Sequence, residues 1–199
     1  MKFVLASHND HKLAEMQRIL GELGVEVVLE SDVGVDIEVD ETGETFEENS
    51  LLKAKAVMEA TGLPAIADDS GLCVTALAGG PGVYSARYGG EGLSDADRYR
   101  LVLEALKGQV DRSAKFVSVV TACFPNGDVL VARGECPGVI AYAPQGDNGF
   151  GYDPVFFVPG LRKTFAQMAP EEKNAISHRG KALEKFRTEL EGYLRGLDQ

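Results

Sequence analysis

Leu63-Pro64-Ala65-Ile66-Ala67-Asp68-Asp69-Ser70-Gly71 is the stretch that decides the fold. Leu63 to Ala67 is a short apolar run that reads as a buried strand. Two adjacent carboxylates, a hydroxyl and a glycine follow it. If the strand ends at Ala67, Asp68 and Asp69 stand at its carboxyl end, where open α/β sheets hold ligands. Paired carboxylates at such a rim need a cation or a proton to neutralise them. Magnesium suits that need, because it takes oxygen ligands and commonly arrives with substrate phosphates. The same four residues also read as a solvated Asp-Asp-Ser-Gly turn.

Working outward, strand and helix signals alternate. Phe3 to Ala6 reads as a first buried strand, and Ser7-His8-Asn9-Asp10 as a turn with capping residues. Leu13, Met16, Ile19, Leu20 and Leu23 recur at helical spacing over His11 to Leu23, and Val25 to Leu29 reads as a second strand. Residues Glu30 to Glu44 are acidic and irregular. Thr45 caps a helix over Phe46 to Thr61, and Gly62 stops it. Cys73 to Leu77 reads as a fourth strand, and the glycine-rich Ala78 to Leu93 as a long loop. Ser94 caps a helix to about Lys107. Phe116 to Phe124 and Val129 to Arg133 flank Asn126-Gly127, a hairpin signal, with Gly138 to Tyr142 extending the return strand. A loop over Ala143 to Asp153, a short strand over Pro154 to Val158 and a last helix over Gly180 to Leu194 complete the chain. Helices between strands, with one hairpin, predict an α/β fold with a mixed sheet and flanking helices. No repeat or linker divides it, so residues 1–199 read as a single domain.

Charge and cysteines exclude several functions. A net charge of -11 argues against a general nucleic-acid or anionic-membrane binder. Cys73, Cys123 and Cys136 form no CxxC and leave an odd count, the pattern of reduced thiols in a cytoplasmic setting. The apolar amino-terminal stretch is too short for a signal peptide, and no segment has the length of a transmembrane helix.

Four further clusters carry possible chemistry. Ser7, His8, Asn9, Asp10, His11 and Lys12 lie at a strand-to-helix turn, where free amides and the helix dipole favour phosphate. Neither GxxxxGK[ST] nor GxGxxG is present. Asn49 and Lys53 share one helix face, and Glu41 precedes that helix as another candidate magnesium ligand. Phe150, Gly151, Tyr152 and Asp153 put aromatic rings among glycines, suited to stacking on a base. Lys173, His178 and Arg179 precede the last helix as candidate base or donor groups. Each cluster also has a plain reading as a helix cap, a packed loop or a solvated face.

In order and wording these pieces resemble the Ham1/inosine triphosphate pyrophosphatase family, on its bacterial dITP/XTP branch. The matching residues are Ser7-x-Asn9-x-x-Lys12; Thr42-Gly43-x-Thr45-Phe46-x-Glu48-Asn49 with Lys53; Ala67 to Leu72; Pro81 to Tyr88; Phe150 to Pro154; and Glu172 to Gly180. They span nearly the whole chain. The departure is Ser7-His8, where many relatives carry Thr-Gly; the hydroxyl is kept and glycine's freedom at positive φ is lost.

The resemblance implies two lobes around a long mixed sheet, with the site in the cleft between them. It further implies a homodimer and hydrolysis of ITP, dITP and XTP to the monophosphate and pyrophosphate with Mg2+. Asp69 is then the general base, Glu41, Asp68 and Asp69 the metal ligands, and Ser7 to Lys12, Lys53 and Ser70 the triphosphate cradle. Phe150 to Asp153, Lys173, His178 and Arg179 fall to the purine, with Arg179 donating to its 6-oxo group. A Maf-like pyrophosphatase acting on pyrimidines and a non-catalytic nucleotide sensor are the alternatives. The Phe150 loop and Ser177-His178-Arg179 weigh against the first, and the Asp68-Asp69 pair against the second.

Overall fold

Phe3, Val4 and Leu5 are completely buried, and they make β1 (Lys2–Leu5) a central strand. In the computed structural model, which describes residues 1–197, β1 pairs in parallel with β2 (Glu26–Leu29) and with β3 (Ala65–Val74). Between β1 and β2 runs α1 (Asp10–Leu20), with Asn9 as its cap and Met16, Ile19 and Leu20 buried at helical spacing. Between β2 and β3 lies α2 (Phe46–Thr61). Thr45 and Glu48 close a capping box at its start, and Gly62 ends it at φ 67°, a left-handed conformation that glycine adopts without strain.

The other elements are α3 (Asp95–Ala105), β4 (Ser113–Cys123), β5 (Val129–Ile140), β6 (Phe156–Val158), β7 (Lys163–Thr164), α4 (Pro170–Ile176) and α5 (His178–Leu197). The seven strands are ordered β2-β1-β3-β4-β5-β6-β7, and β5-β6 and β6-β7 pair antiparallel. Parallel and antiparallel neighbours make the sheet mixed, as the sequence predicts.

Two expectations are corrected. The strand does not stop at Ala67: β3 continues through Asp68 and Asp69 to Val74, and the fourth strand expected at Cys73 to Leu77 is its end followed by a 3₁₀ turn at Thr75–Leu77. The carboxylates therefore lie inside a strand, not at its rim. Buried partners for both side chains make this tolerable, as described below. The long Ala78 to Leu93 loop holds a 3₁₀ turn over Gly82–Arg87, and β7 and α4 are elements that sequence periodicity did not reveal.

The chain forms two compact units. The first contains Met1–Asp69, Ser118–Gly134 and the segment from Arg179 onward. Strand alternation splits its core in two. Phe3, Leu5 and Ile66 pack with Met16 and Leu20 of α1 and with Leu183 and Phe186 of α5. Val4, Ala65 and Ala67 pack with Ala54 and Val57 of α2. The second unit, Ser70–Val117 and Glu135–His178, has its own core of Leu72, Val102, Phe116, Phe156 and Phe165 with their neighbours.

Candidate active site

Successive side chains of a strand point to opposite faces, so Asp68 and Asp69 meet different surroundings. Asp68 shares the Ile66 side, which α1 and α5 cover. Its side chain is fully buried and densely partnered. Arg179 donates Nε to Oδ2 at 3.1 Å and a terminal nitrogen to Oδ1 at 3.4 Å. Ser118 donates its hydroxyl to Oδ2 at 2.6 Å, and Lys12 lies 2.8 Å from Oδ1. Burial alone would raise the Asp68 carboxyl, but the Arg179 guanidinium and Lys12 ammonium outweigh it and hold the group well below the usual carboxylate range. Arg179 also reaches Glu15 of α1 at 3.1 Å. A cation in the first turn of a helix opposes the helix dipole, and these two carboxylates offset that cost.

Asp69 shares the Ala65 and Ala67 side, which α2 covers. Lys53, on α2, reaches its Oδ1 at 2.9 Å and Glu41 at 2.8 Å. Asp69 Oδ2 is buried with no hydrogen-bond partner. Burial raises the Asp69 carboxyl above its ordinary value, more than the Lys53 ammonium lowers it, with Glu41 and Asp68 adding to the rise. Neighbours in sequence thus become opposites in proton affinity, the arrangement that separates a permanent anion from a base. Lys53, though buried, is raised by Asp69 and Glu41, whereas burial lowers Lys12.

Asn49, one turn before Lys53, fixes the acidic segment that carries Glu41. Its Oδ1 accepts from the Gly43 amide at 2.8 Å, and a Cβ on Gly43 would meet that oxygen at 2.6 Å. A pocket of about 680 Å3 is lined by Ser7 to Lys12, Glu41, Lys53 and Asp68, within the range of small-molecule sites. In it, Ser7 Oγ accepts from the Asn9 amide, and Asn9 Oδ1 accepts from the amides of His11 and Lys12. The departure at His8 does not strain the turn: among the described residues, the non-glycine positions at positive φ are Ala78 and Arg162.

The other predicted residues lie in the second unit. Asp153 is buried and accepts from Lys173 Nζ at 2.6 Å and from the Phe150 amide at 3.1 Å. Lys173 Nζ lies 4.9 Å from the centre of the Phe150 ring, a cation–π contact. Gly149, at φ 75°, is required here, since a Cβ would lie 2.0 Å from Asp153 Oδ2. The Gly151 amide donates to Asp95. Tyr152 is buried, donates its hydroxyl to the Ser85 carbonyl at 2.6 Å, and is raised by that burial. His178 stacks on Phe116 at 4.6 Å and 12°, and Ser70 is half-buried at the start of this unit.

Residue-by-residue reading of the sequence missed Glu15 and Ser118. Glu15 lies three residues after Lys12, hence on the same face of α1, and Ser118 is a hydroxyl inside an otherwise apolar strand.

The Ham1 family model matches residues 3–189. This chain belongs to the Ham1 family. It is 47% identical over 196 residues to the dITP/XTP pyrophosphatase of an Exiguobacterium species, covering 98% of this chain and all of that one. It is 51% identical to the enzyme of the same name from Nitrosomonas europaea, covering 93% and 92%. The Ham1 protein of Staphylococcus aureus superposes with a TM-score of 0.90 at 44% identity, over 97% of this chain and 100% of that one. A HAM1 protein from Coxiella burnetii gives 0.91 at 47% identity, over 96% and 99%. The Ham1 fold is thus matched along nearly the full chain, and the expected α/β architecture holds.

Proposed function

We propose that this Ham1 chain hydrolyses the non-canonical purine nucleoside triphosphates dITP, ITP and XTP to the monophosphate and pyrophosphate, acting in the cytoplasm as one catalytic domain and as a homodimer. Full-length relatives carry the name dITP/XTP pyrophosphatase, which supports the substrate class. The observation that carries the chemistry is the Asp68-Asp69 divergence: one carboxylate locked as an anion, its neighbour raised and holding a buried oxygen without a partner.

Asp69 acts as the general base toward a water attacking the α-phosphorus. A raised pKa makes its carboxylate a better proton acceptor than an ordinary aspartate. Lys53 orients Asp69 through Oδ1, leaving Oδ2 for the water or an ion. Asp68 does not compete for the proton, because Arg179, Lys12 and Ser118 keep it ionised. Lys12, Lys53 and the Ser7 to Asn9 turn receive the triphosphate, with Lys53 exchanging its Glu41 contact for a phosphate oxygen while it keeps Asp69, and Lys12 keeping Asp68.

The partnerless Asp69 oxygen, with Glu41 on the same Lys53 ammonium, fits a hard divalent cation, so these two are assigned to Mg2+; Asp68, expected as a third ligand from the resemblance, has both oxygens taken by Arg179, Ser118 and Lys12 on the other face of the strand. An ion held there would supply screening of phosphate charge and stabilisation of the pyrophosphate leaving group. In the second unit Phe150 is assigned to stacking on the purine, with Asp153 and Lys173 fixing its loop. The backbone amides near His178 are assigned to the 6-oxo edge, while Arg179, buried against Asp68 and Glu15, holds Asp68. Adenine offers an amino donor at that edge and would leave a donor unpaired, the basis of strong rejection.

The test is kcat/KM for dITP, ITP, XTP, ATP and a pyrimidine triphosphate, with Mg2+ and after chelation. The proposal expects the deaminated purines to lead and chelation to abolish turnover. Preference for a pyrimidine triphosphate would move the chain to another substrate class, and binding without turnover would make it a sensor.

A further inference from the structure

We propose that His8, Glu30 and Asp36 form a second divalent-metal site in the first unit, taking a transition ion of the Zn2+ or Co2+ class. These residues are separate from Glu41, Asp68 and Asp69. Glu30 opens the turn after β2, and its side chain is only 3% exposed. His8 Nε2 lies 3.2 Å from Glu30 Oε1 and 3.5 Å from Asp36 Oδ1. Among the described residues this is the grouping of histidine and carboxylate donors whose ligand atoms all fall within 4.8 Å of one another.

Two observations point to an ion. The first is Glu30 Oε2, which is buried with no hydrogen-bond partner. A carboxylate so placed is costly without a cation.

The second is spacing. Bonds of about 2.1 Å at tetrahedral angles set ligand atoms about 3.4 Å apart, and the two contacts to Nε2 bracket that edge. An imidazole nitrogen with two carboxylate oxygens suits zinc-class ions, whereas magnesium favours an all-oxygen shell. His8 and Asp36 are exposed, with side chains at 64% and 85%, which leaves an entry path and room for water as a further ligand. His8 and Glu30 also line the pocket that holds Lys12 and Lys53, so an ion would tie the Ser7 to Lys12 turn to the segment after β2.

The experiment is Co2+ titration of the chelator-stripped full-length protein, without nucleotide, followed by the visible absorption of the bound ion and by Zn2+ competition. The expected result is one saturable equivalent. His8→Ala and Glu30→Gln should each weaken it by about tenfold or more, and Asp69→Asn should retain it. Circular dichroism checks that the variants are folded, and His8→Ala alters an exposed side chain. No saturable binding, or undiminished binding by folded His8→Ala, overturns the proposal and leaves His8 as an ion-pair partner of Glu30. Loss of the signal in Asp69→Asn also overturns it, by assigning the ion to the Glu41-Asp69 set. The titration uses no substrate, so its failure leaves the hydrolase reading to be judged by its own assay.

Discussion

Asp68 and Asp69 differ by one position and by everything around them. Removing the proposed base should lower kcat by about two to four orders of magnitude. Pyrophosphate release by Asp69→Asn, with the fold checked by circular dichroism, measures this, and near wild-type turnover would remove Asp69 from the role. Arg179 answers to a different assay. The 6-oxo group was the expectation from resemblance, whereas the guanidinium is buried against Asp68 and Glu15, and holding Asp68 is the role the geometry supports. Arg179→Met should cost up to about 3–5 kcal/mol at neutral pH, because the buried Asp68 carboxylate loses its guanidinium partner.

The sign of the pH effect follows from Asp68. Its folded pKa lies below the unfolded one, so its stabilisation is present above the ordinary aspartate range near pH 3.9 and lost as pH falls through the depressed value. The cost of Arg179→Met, read by urea unfolding, should therefore shrink on acidification. An equal cost at pH 7 and at the acid end would assign Arg179 a packing role. In the same variant kcat/KM for ITP and ATP should fall by similar factors; a selective loss for ITP would return the guanidinium to the base.

At the scale of elements, α2 and the segment before it act as one device. Thr45 and Glu48 fix the start of the helix, Asn49 pins Gly43, and Lys53 meets Glu41 and Asp69. Gly43→Ala puts a methyl 2.6 Å from Asn49 Oδ1 and 2.7 Å from Glu48 Cβ, so the acidic segment must shift. A misplacement of about 1 Å can cost 10²-fold in rate. We expect a kcat loss approaching that size with little change in the urea midpoint, and unchanged kcat would show that Glu41 is not needed where it stands. Thr45, Phe46 to Thr61 and Gly62 were legible in sequence because caps and stops are local chemistry. The end of β3 was not. A run reading Ala-Asp-Asp-Ser-Gly carries every local mark of a turn, whereas its place between β1 and β4 and its partners Arg179, Lys12, Lys53 and Ser118 are all distant in sequence. Two-residue β7 and seven-residue α4 are too short for periodicity to register, although Pro170 in the first turn of α4 is a local start signal.

Across the whole molecule, alternation of strand and helix made the α/β class legible, since buried strands such as Phe3 to Leu5 and amphipathic helices such as α1 declare themselves locally. The Lys12-Asp68-Arg179 set was legible only as motif residues. Its contacts span 56 and 111 positions, and no local pattern encodes such pairs. With a net charge of -11, the proposed triphosphate has to be met by a few placed cations such as Lys12 and Lys53. The central claim is that water attacks the α-phosphorus of the triphosphate. Hydrolysis of ITP in oxygen-18-labelled water, with products read by mass spectrometry, tests it most directly. The account predicts the label in the monophosphate and none in pyrophosphate. Label in pyrophosphate, or release of inorganic phosphate with a nucleoside diphosphate, would contradict it.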